Sequence, residues 1–140
     1  MPAAYLKNKD DMETRTQEAA EKKRSGKYNC AQAVACTYCD LAGADEETMK
    51  NLAGAFGTGM GSMEGTCGAL VGAGLILGAV RKDRVRAMKE MRGIMTSFRQ
   101  QNGAVTCREL KGLGDGPVLC ACNDCVADAA ALLEQALGQE

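Results

Sequence analysis

The reactive side chains of this sequence are its eight cysteines, and the chain contains no histidine. The cysteines are Cys30, Cys36, Cys39, Cys67, Cys107, Cys120, Cys122 and Cys125. The lack of histidine removes the commonest general base and the commonest nitrogen ligand of metals, and no acid–base constellation of an enzyme is recognisable. The N-terminal residues carry no apolar signal region, so we expect a cytoplasmic protein. In that compartment, many cysteines indicate metal binding or redox chemistry rather than structural disulfides.

Four of the cysteines directly follow a residue that commonly caps a helix. The pairs are Asn29-Cys30, Thr66-Cys67, Thr106-Cys107 and Asp124-Cys125. Each cysteine would then be the first residue of a helix, where free N–H groups and the helix dipole stabilise a thiolate and lower its pKa. If the four helix ends converge, they suit an iron–sulfur cluster (4Fe–4S or 2Fe–2S) or a pair of reactive dithiols. The competing interpretation is that these cysteines are simply buried and apolar.

The remaining cysteines form shorter motifs. Cys36 and Cys39 make a CxxC that lies inside a predicted helix, on a face that Cys30 does not share. The segment 120–125 holds both a CxC and a CxxC, so two CxxC pairs are available for a Cys₄ zinc site. We assign Cys36, Cys39 and Cys120 to a second metal site, separate from the first.

The apolar and polar periodicity predicts helices and no strands. The helices are expected at 10–24, 30–41, 45–55, 67–80, 81–101 and 124–136, with a short helical turn after Thr106. The fold class is therefore all-α: one compact domain over residues 1–140, a bundle of about five to six helices with a loose N-terminus at 1–10. The glycine-rich loop 56–65 is interpreted as a flexible connection, since a helix rather than a strand precedes it.

The predicted helix 67–80 has no polar face, so it should be buried on most sides. Small residues leave one side of it almost bare, namely Gly68, Ala69, Gly72, Ala73 and Gly78. Either another helix or a cofactor beside Cys67 can approach that side closely. The apolar run of this region is too short and too rich in glycine for a membrane span, so no membrane insertion is expected.

The predicted helix 81–101 is amphipathic. Its apolar stripe consists of Val85, Met88, Met91, Ile94, Met95 and Phe98. Its basic residues are Arg81, Lys82, Arg84, Arg86, Lys89 and Arg92. We interpret them as a solvated face, and as the alternative a docking surface for an acidic redox partner. The net charge of −1 gives no argument for nucleic-acid binding.

Five segments together resemble one known family. They are 28–34, 57–61, 66–73, 106–112 and 122–130, and the likeness extends over nearly the whole chain from about residue 20 to 137. The sequence resembles the C-GCAxxG-C-C family of redox-active proteins, which is named for its cysteine pattern. The resemblance implies that the family cysteines are Cys30, Cys67, Cys107 and either Cys122 or Cys125. The family has been linked to split-Soret cytochromes, which implies an iron–sulfur centre; this chain has no haem attachment site.

These observations lead to one expected function and two alternatives. The first is a redox protein with an iron–sulfur cluster on the family cysteines, in which Gly68 and Gly72 let the cluster lie against the backbone. The second is a metal-free thiol–disulfide protein with Cys67 as nucleophile and Cys30 or Cys107 as the resolving thiol. The third is a Cys₄ zinc module that holds the bundle together. The redox partner is unknown, and a homodimer with a cluster at its interface is compatible with the glycine-rich helix faces.

Overall fold

The fold is a bundle of helices, as seen in a computed structural model that describes residues 9–112 and 116–138, with side chains from residue 15 onward. Seven α-helices lie in this part of the chain. They are α1 (Lys9–Arg24), α2 (Cys30–Thr37), α3 (Glu46–Ala53), α4 (Gly68–Arg81), α5 (Arg84–Asn102), α6 (Cys107–Leu110) and α7 (Cys122–Leu137). A 3₁₀ turn (Gly54–Phe56) and a π turn (Gly59–Met63) follow α3. The predicted loose N-terminus lies outside the described residues, apart from its last two, which begin α1.

The predicted all-α class is confirmed. The only extended pairing among the described residues is one antiparallel bridge between Thr66 and Thr106. Helix α4 packs against α2, α5 and α7, while α1 covers α7 and α2. The glycine-rich and alanine-rich sequence of α4 is therefore buried by helices on several sides, as its lack of a polar face predicts.

Local capping chemistry sets the helix starts. The Asn29 side chain accepts from the N–H of Gln32, whose side chain accepts from the N–H of Asn29, so the predicted capping box of α2 is confirmed. Three other predicted starts are wrong. Cys67 is itself the N-cap of α4. Helix α5 begins at Arg84 rather than at Arg81, which is the last residue of α4, and α7 begins at Cys122 rather than near Asp124.

Tertiary contacts end α2 earlier than its sequence predicts. The helix stops at Thr37, and Tyr38 leaves the helical region with φ −111° and ψ 12°. The Tyr38 side chain is fully buried, and its hydroxyl donates a hydrogen bond to the Glu134 carboxylate of α7. This long-range contact directs the chain away from the helix axis.

Helix α5 departs from its predicted pattern at its N-terminal end. Val85 is 71% and Met88 60% exposed, so the apolar stripe is not buried there. Arg81 was expected on a solvated face, but its side chain is only 6% exposed and its Nε donates to Glu90 at 2.7 Å. The described residues contain no helix that is both long and apolar enough to span a membrane.

Candidate cysteine site

Five cysteines from four helices line one small cavity. Its walls are Cys30, Cys67, Gly68, Cys107, Leu110, Lys111, Cys122 and Cys125. The cavity volume is about 10 Å³, which is room for about one water molecule. One hypothesis from the sequence is that cysteines at helix starts meet at one site. Cys30, Cys67 and Cys107 do meet at this cavity, and both candidates for the fourth family cysteine, Cys122 and Cys125, line it as well.

A short backbone pairing places Cys67 beside Cys107. The N–H of Cys67 donates to the carbonyl of Val105 at 2.7 Å, and the N–H of Cys107 donates to the carbonyl of Gly65 at 3.0 Å. These two hydrogen bonds flank the Thr66–Thr106 bridge. The starts of α4 and α6 are thus fixed side by side, although about 40 residues separate them in sequence.

The two predicted glycines have different roles. A Cβ on Gly68 would lie 2.7 Å from the carbonyl oxygen of Phe56 and 3.2 Å from Cys30 Cβ, so only glycine lets α4 begin this close to Cys30. Gly72 does not line the cavity, and a Cβ there would lie 2.6 Å from the carbonyl oxygen of Ala31 in α2. The placement of Gly72 against a cofactor is therefore corrected: α2 fills that face of the helix.

Within the cavity, four of the sulfurs form two hydrogen-bonded pairs. Cys30 donates to Cys122, and Cys125 donates to Cys67. Donation to the neighbouring sulfur, followed by burial, raises the pKa of Cys30 and of Cys125. The same hydrogen bonds are the main reason that the pKa of Cys122 and of Cys67 is lowered. In each pair the neutral form is therefore favoured at one sulfur, Cys30 or Cys125, and the charged form at the other, Cys122 or Cys67.

The predicted effect of helix starts on the thiols is found at only one of the four positions. Besides the hydrogen bond from Cys125, the N–H groups of Ala69 and Leu70 in the first turn of α4 lower the pKa of Cys67. The pKa of Cys107 is raised, chiefly because burial disfavours the charged form. The pKa of Cys30 is raised by its sulfur neighbour and by burial, and Cys125 is not at a helix start because α7 begins at Cys122, so the prediction is wrong for those positions.

Lys111 is a site residue that the sequence analysis missed. Its ammonium donates to the sulfur of Cys122 and, after the hydrogen bond from Cys30, is the main factor lowering the pKa of Cys122 to about 5. Lys111 follows Cys107 by four residues, which is about one helical turn. The sequence could therefore have indicated a cation on the same helix face as the candidate ligand Cys107. Its positive charge offsets part of the negative charge of the thiolates.

Removing the Lys111 charge should make Cys122 less reactive. In metal-free protein, Lys111→Met destabilises the Cys122 thiolate, so the pKa rises and the rate of alkylation at pH 6 should fall by about tenfold. Lys111→Arg keeps the charge and is the matched control. The measurement is the rate of Cys122 carboxymethylation against pH, resolved by peptide mass spectrometry. Unchanged profiles in both variants would show that Lys111 does not act on Cys122.

Lining one cavity does not by itself make the five sulfurs a metal site. No group of three Cys, Asp or Glu side chains among the described residues is placed to bind a single metal ion. A tetrahedral zinc site needs sulfurs that are mutually about 3.8 Å apart, as its Zn–S bond length requires. Access of several sulfurs to one cavity and ligation of one ion by those sulfurs are different properties.

The remaining cysteines do not assemble the predicted second site. Cys120 lies beside Cys125, whose sulfur is 3.7 Å from the Cys120 carbonyl oxygen. Cys36 and Cys39 are at the opposite end of α2, where Glu46 acts on both sulfurs and Cys39 acts on Cys36, while Cys120 acts on neither. The grouping of these three cysteines is therefore corrected to a pair and a separate buried thiol.

The fold and the site define a class of protein: a cysteine-rich helical bundle that gathers thiols from distant segments into one buried cavity. A protein-family profile with the description "Putative redox-active protein (C_GCAxxG_C_C)" matches residues 28–136. The chain belongs to this family, so the expected resemblance is confirmed. No curated protein and no solved structure matches it.

Proposed function

We propose that this protein transfers electrons at the cysteine cavity by means of an iron–sulfur cluster. The observation that supports the proposal is the meeting of two thiol pairs, Cys30 with Cys122 and Cys67 with Cys125, in one buried cavity. Four cysteine thiolates are the ligand set of both common cluster types. When bound, the cluster would supply a one-electron redox couple.

The pairwise arrangement favours a two-iron cluster over the other candidates. In a 2Fe–2S centre each iron takes two protein ligands, so four ligands fall into two pairs. Zinc, in contrast, would need all four sulfurs around one ion. Cys107 is then a fifth thiol on the cavity wall rather than a ligand, in contrast to the role that the family pattern gives it.

The surrounding residues suit this use of the cavity. Gly68 leaves one wall without a side chain, Leu110 keeps the wall apolar, and Lys111 contributes the compensating charge. Exclusion of water and nearby positive charge are two of the factors that set the potential of such a centre. The cavity has a volume of only about 10 Å³ while the sulfurs of each pair are in contact. Binding of a cluster would therefore require the sulfurs of each pair to rotate away from one another.

Thiol–disulfide exchange is the second candidate, favoured by the hydrogen bonding within each pair. The Cys122 thiolate, with a pKa of about 5, is hydrogen-bonded to Cys30. Attack of such a thiolate on a substrate disulfide forms a mixed disulfide, which the partner thiol resolves as the substrate takes up two electrons. The nucleophile favoured here is Cys122 with Cys30 resolving, and Cys67 would be resolved by Cys125 rather than by Cys30 or Cys107.

Metal and sulfide analysis of protein purified without oxygen tests the proposal. We expect a visible absorption band with equal amounts of iron and acid-labile sulfide. Serine substitution at Cys30, Cys67, Cys122 or Cys125 should remove most of the iron. Cys39→Ser is the matched control, since Cys39 lies away from the cavity, and it should retain the cluster.

Two results would change the assignment. Loss of iron in Cys107→Ser, with iron retained in Cys125→Ser, would establish the family cysteines as ligands and overturn the pairwise assignment. Absence of iron and sulfide even after reconstitution would overturn the cluster. In that case, disulfides mapped between Cys30 and Cys122, or between Cys67 and Cys125, would establish the thiol–disulfide function.

A further inference from the structure

A second pair of thiols lies outside the cavity, at the other end of α2. Cys30 begins the helix, and Cys36 is six residues later, which places it about 9 Å farther along the helix axis. Cys39 follows in the turn after the helix. Neither Cys36 nor Cys39 lines the cavity, so this pair is spatially distinct from the site described above.

The backbone holds the two cysteines at a spacing that a disulfide can bridge. Thr37 is helical, and Tyr38 has φ −111° and ψ 12°, close to the two central residues of a type I turn. Such a turn places the Cα atoms of its first and fourth residues, here Cys36 and Cys39, within about 7 Å. Disulfides span Cα separations of about 4.4–6.8 Å, and residues three apart on a helical turn share a face.

Contacts on both sides keep this turn in place. The Tyr38 ring is fully buried and its hydroxyl donates to Glu134. The Thr37 hydroxyl donates to the carbonyl of Ala33 at 2.7 Å. The carbonyl of Cys39 accepts from two backbone N–H groups of the following turn, each at 3.1 Å. The pair is thus pre-positioned, and closing a disulfide requires side-chain rotation rather than refolding.

The two thiols differ in exposure. Cys36 is 5% exposed, while Cys39 is half-buried. Burial is the largest factor that raises the pKa of both thiols, to about 11 for Cys36. Because Cys39 is the more exposed of the two, an incoming molecule contacts its sulfur before that of Cys36.

We propose that Cys36 and Cys39 form a second redox site, which undergoes reversible exchange with a disulfide substrate such as oxidised glutathione. The Cys39 thiolate attacks one substrate sulfur, forming a mixed disulfide and releasing one glutathione thiolate. Cys36 then loses its proton and attacks the Cys39 sulfur, closing the intramolecular disulfide and releasing the second glutathione. Two electrons pass from the cysteine pair to the substrate, and the two protons end on the released thiols.

Disulfide mapping of the full-length protein tests this proposal. The protein is incubated with glutathione buffers of increasing oxidised fraction, quenched with acid, alkylated and cleaved with chymotrypsin. Cleavage after Tyr38 separates Cys36 from Cys39, so a disulfide between them keeps two peptides joined. We expect the joined peptides to increase with the oxidised fraction and to disappear on reduction.

Two variants identify the roles of the sulfurs. Cys36→Ser should leave a stable mixed disulfide with glutathione on Cys39, because the resolving thiol is missing. Cys39→Ser should abolish both the joined peptides and the glutathione adduct at this site. Cys30→Ser, at the other end of α2, should leave the joined peptides unchanged. A wild-type protein that accumulates glutathione on Cys39 without closing the disulfide, or that does not react there, would overturn the proposal whatever the cavity binds.

Discussion

Gly72→Ala should destabilise the fold by about 2 kcal/mol, because it forces α4 away from α2. The added Cβ would lie 2.6 Å from the carbonyl oxygen of Ala31 and 3.2 Å from Val34 Cβ. Overpacking of this kind costs about 1–3 kcal/mol, and here the clashing atom is backbone. The gain in helix propensity from alanine, up to about 1 kcal/mol, offsets part of the cost. Urea unfolding followed by circular dichroism measures the change in free energy.

Gly78→Ala is the matched control in the same helix. Gly78 is exposed, and nothing lies within 4 Å of a Cβ placed there. Alanine should therefore stabilise the protein by about 0.5–1 kcal/mol through helix propensity and the smaller entropy of the unfolded chain. Opposite signs for the two variants are expected. A stabilising effect at both positions would show that the contact between α2 and α4 is not close.

Phe98→Ala should cost about 3–5 kcal/mol, the usual penalty for truncating a fully buried phenylalanine. Ile94 and Phe98 are the only buried residues of α5, so the attachment of this long helix depends on few side chains. The loss is a large part of the total stability of an ordinary domain, about 5–15 kcal/mol. Urea unfolding measures it, and amide hydrogen exchange should show α5 losing protection before α4.

Val85→Ala is the comparison for that variant. Val85 belongs to the same apolar stripe in sequence as Phe98 but is 71% exposed. Its truncation should change stability by less than about 0.5 kcal/mol. A loss comparable to that of Phe98→Ala would mean that Val85 is covered in solution, for example by a second copy of the chain.

The cavity and the Cys36–Cys39 pair are two separate groups of thiols at opposite ends of α2. Four of the five cavity cysteines are buried and Cys122 is half-buried. In the second pair Cys36 is buried and Cys39 is half-buried, so Cys39 is the sulfur of that pair that a substrate disulfide contacts. The two sites can therefore be examined separately with single substitutions.

The sequence by itself determined the helical class, most helix starts, and the cysteines and Gly68 of the cavity. These features follow from local chemistry: the Asn29 capping box, the absence of strand alternation, and cysteines placed at helix starts. Helix ends were less predictable. The end of α2 depends on Tyr38 reaching Glu134, which is 96 residues away in the chain. No local signal encodes a contact of that range.

Only the tertiary structure decided how the thiols are paired and what the glycines face. The pKa of Cys30 is raised rather than lowered because its thiol meets Cys122 of α7 and is buried. Gly72 faces α2 rather than the cavity because the two helices cross at that residue. A sequence fixes which side chains stand at each helix end and on each face. The partner of each side chain depends on how the helices pack, because packing balances contacts over the whole core.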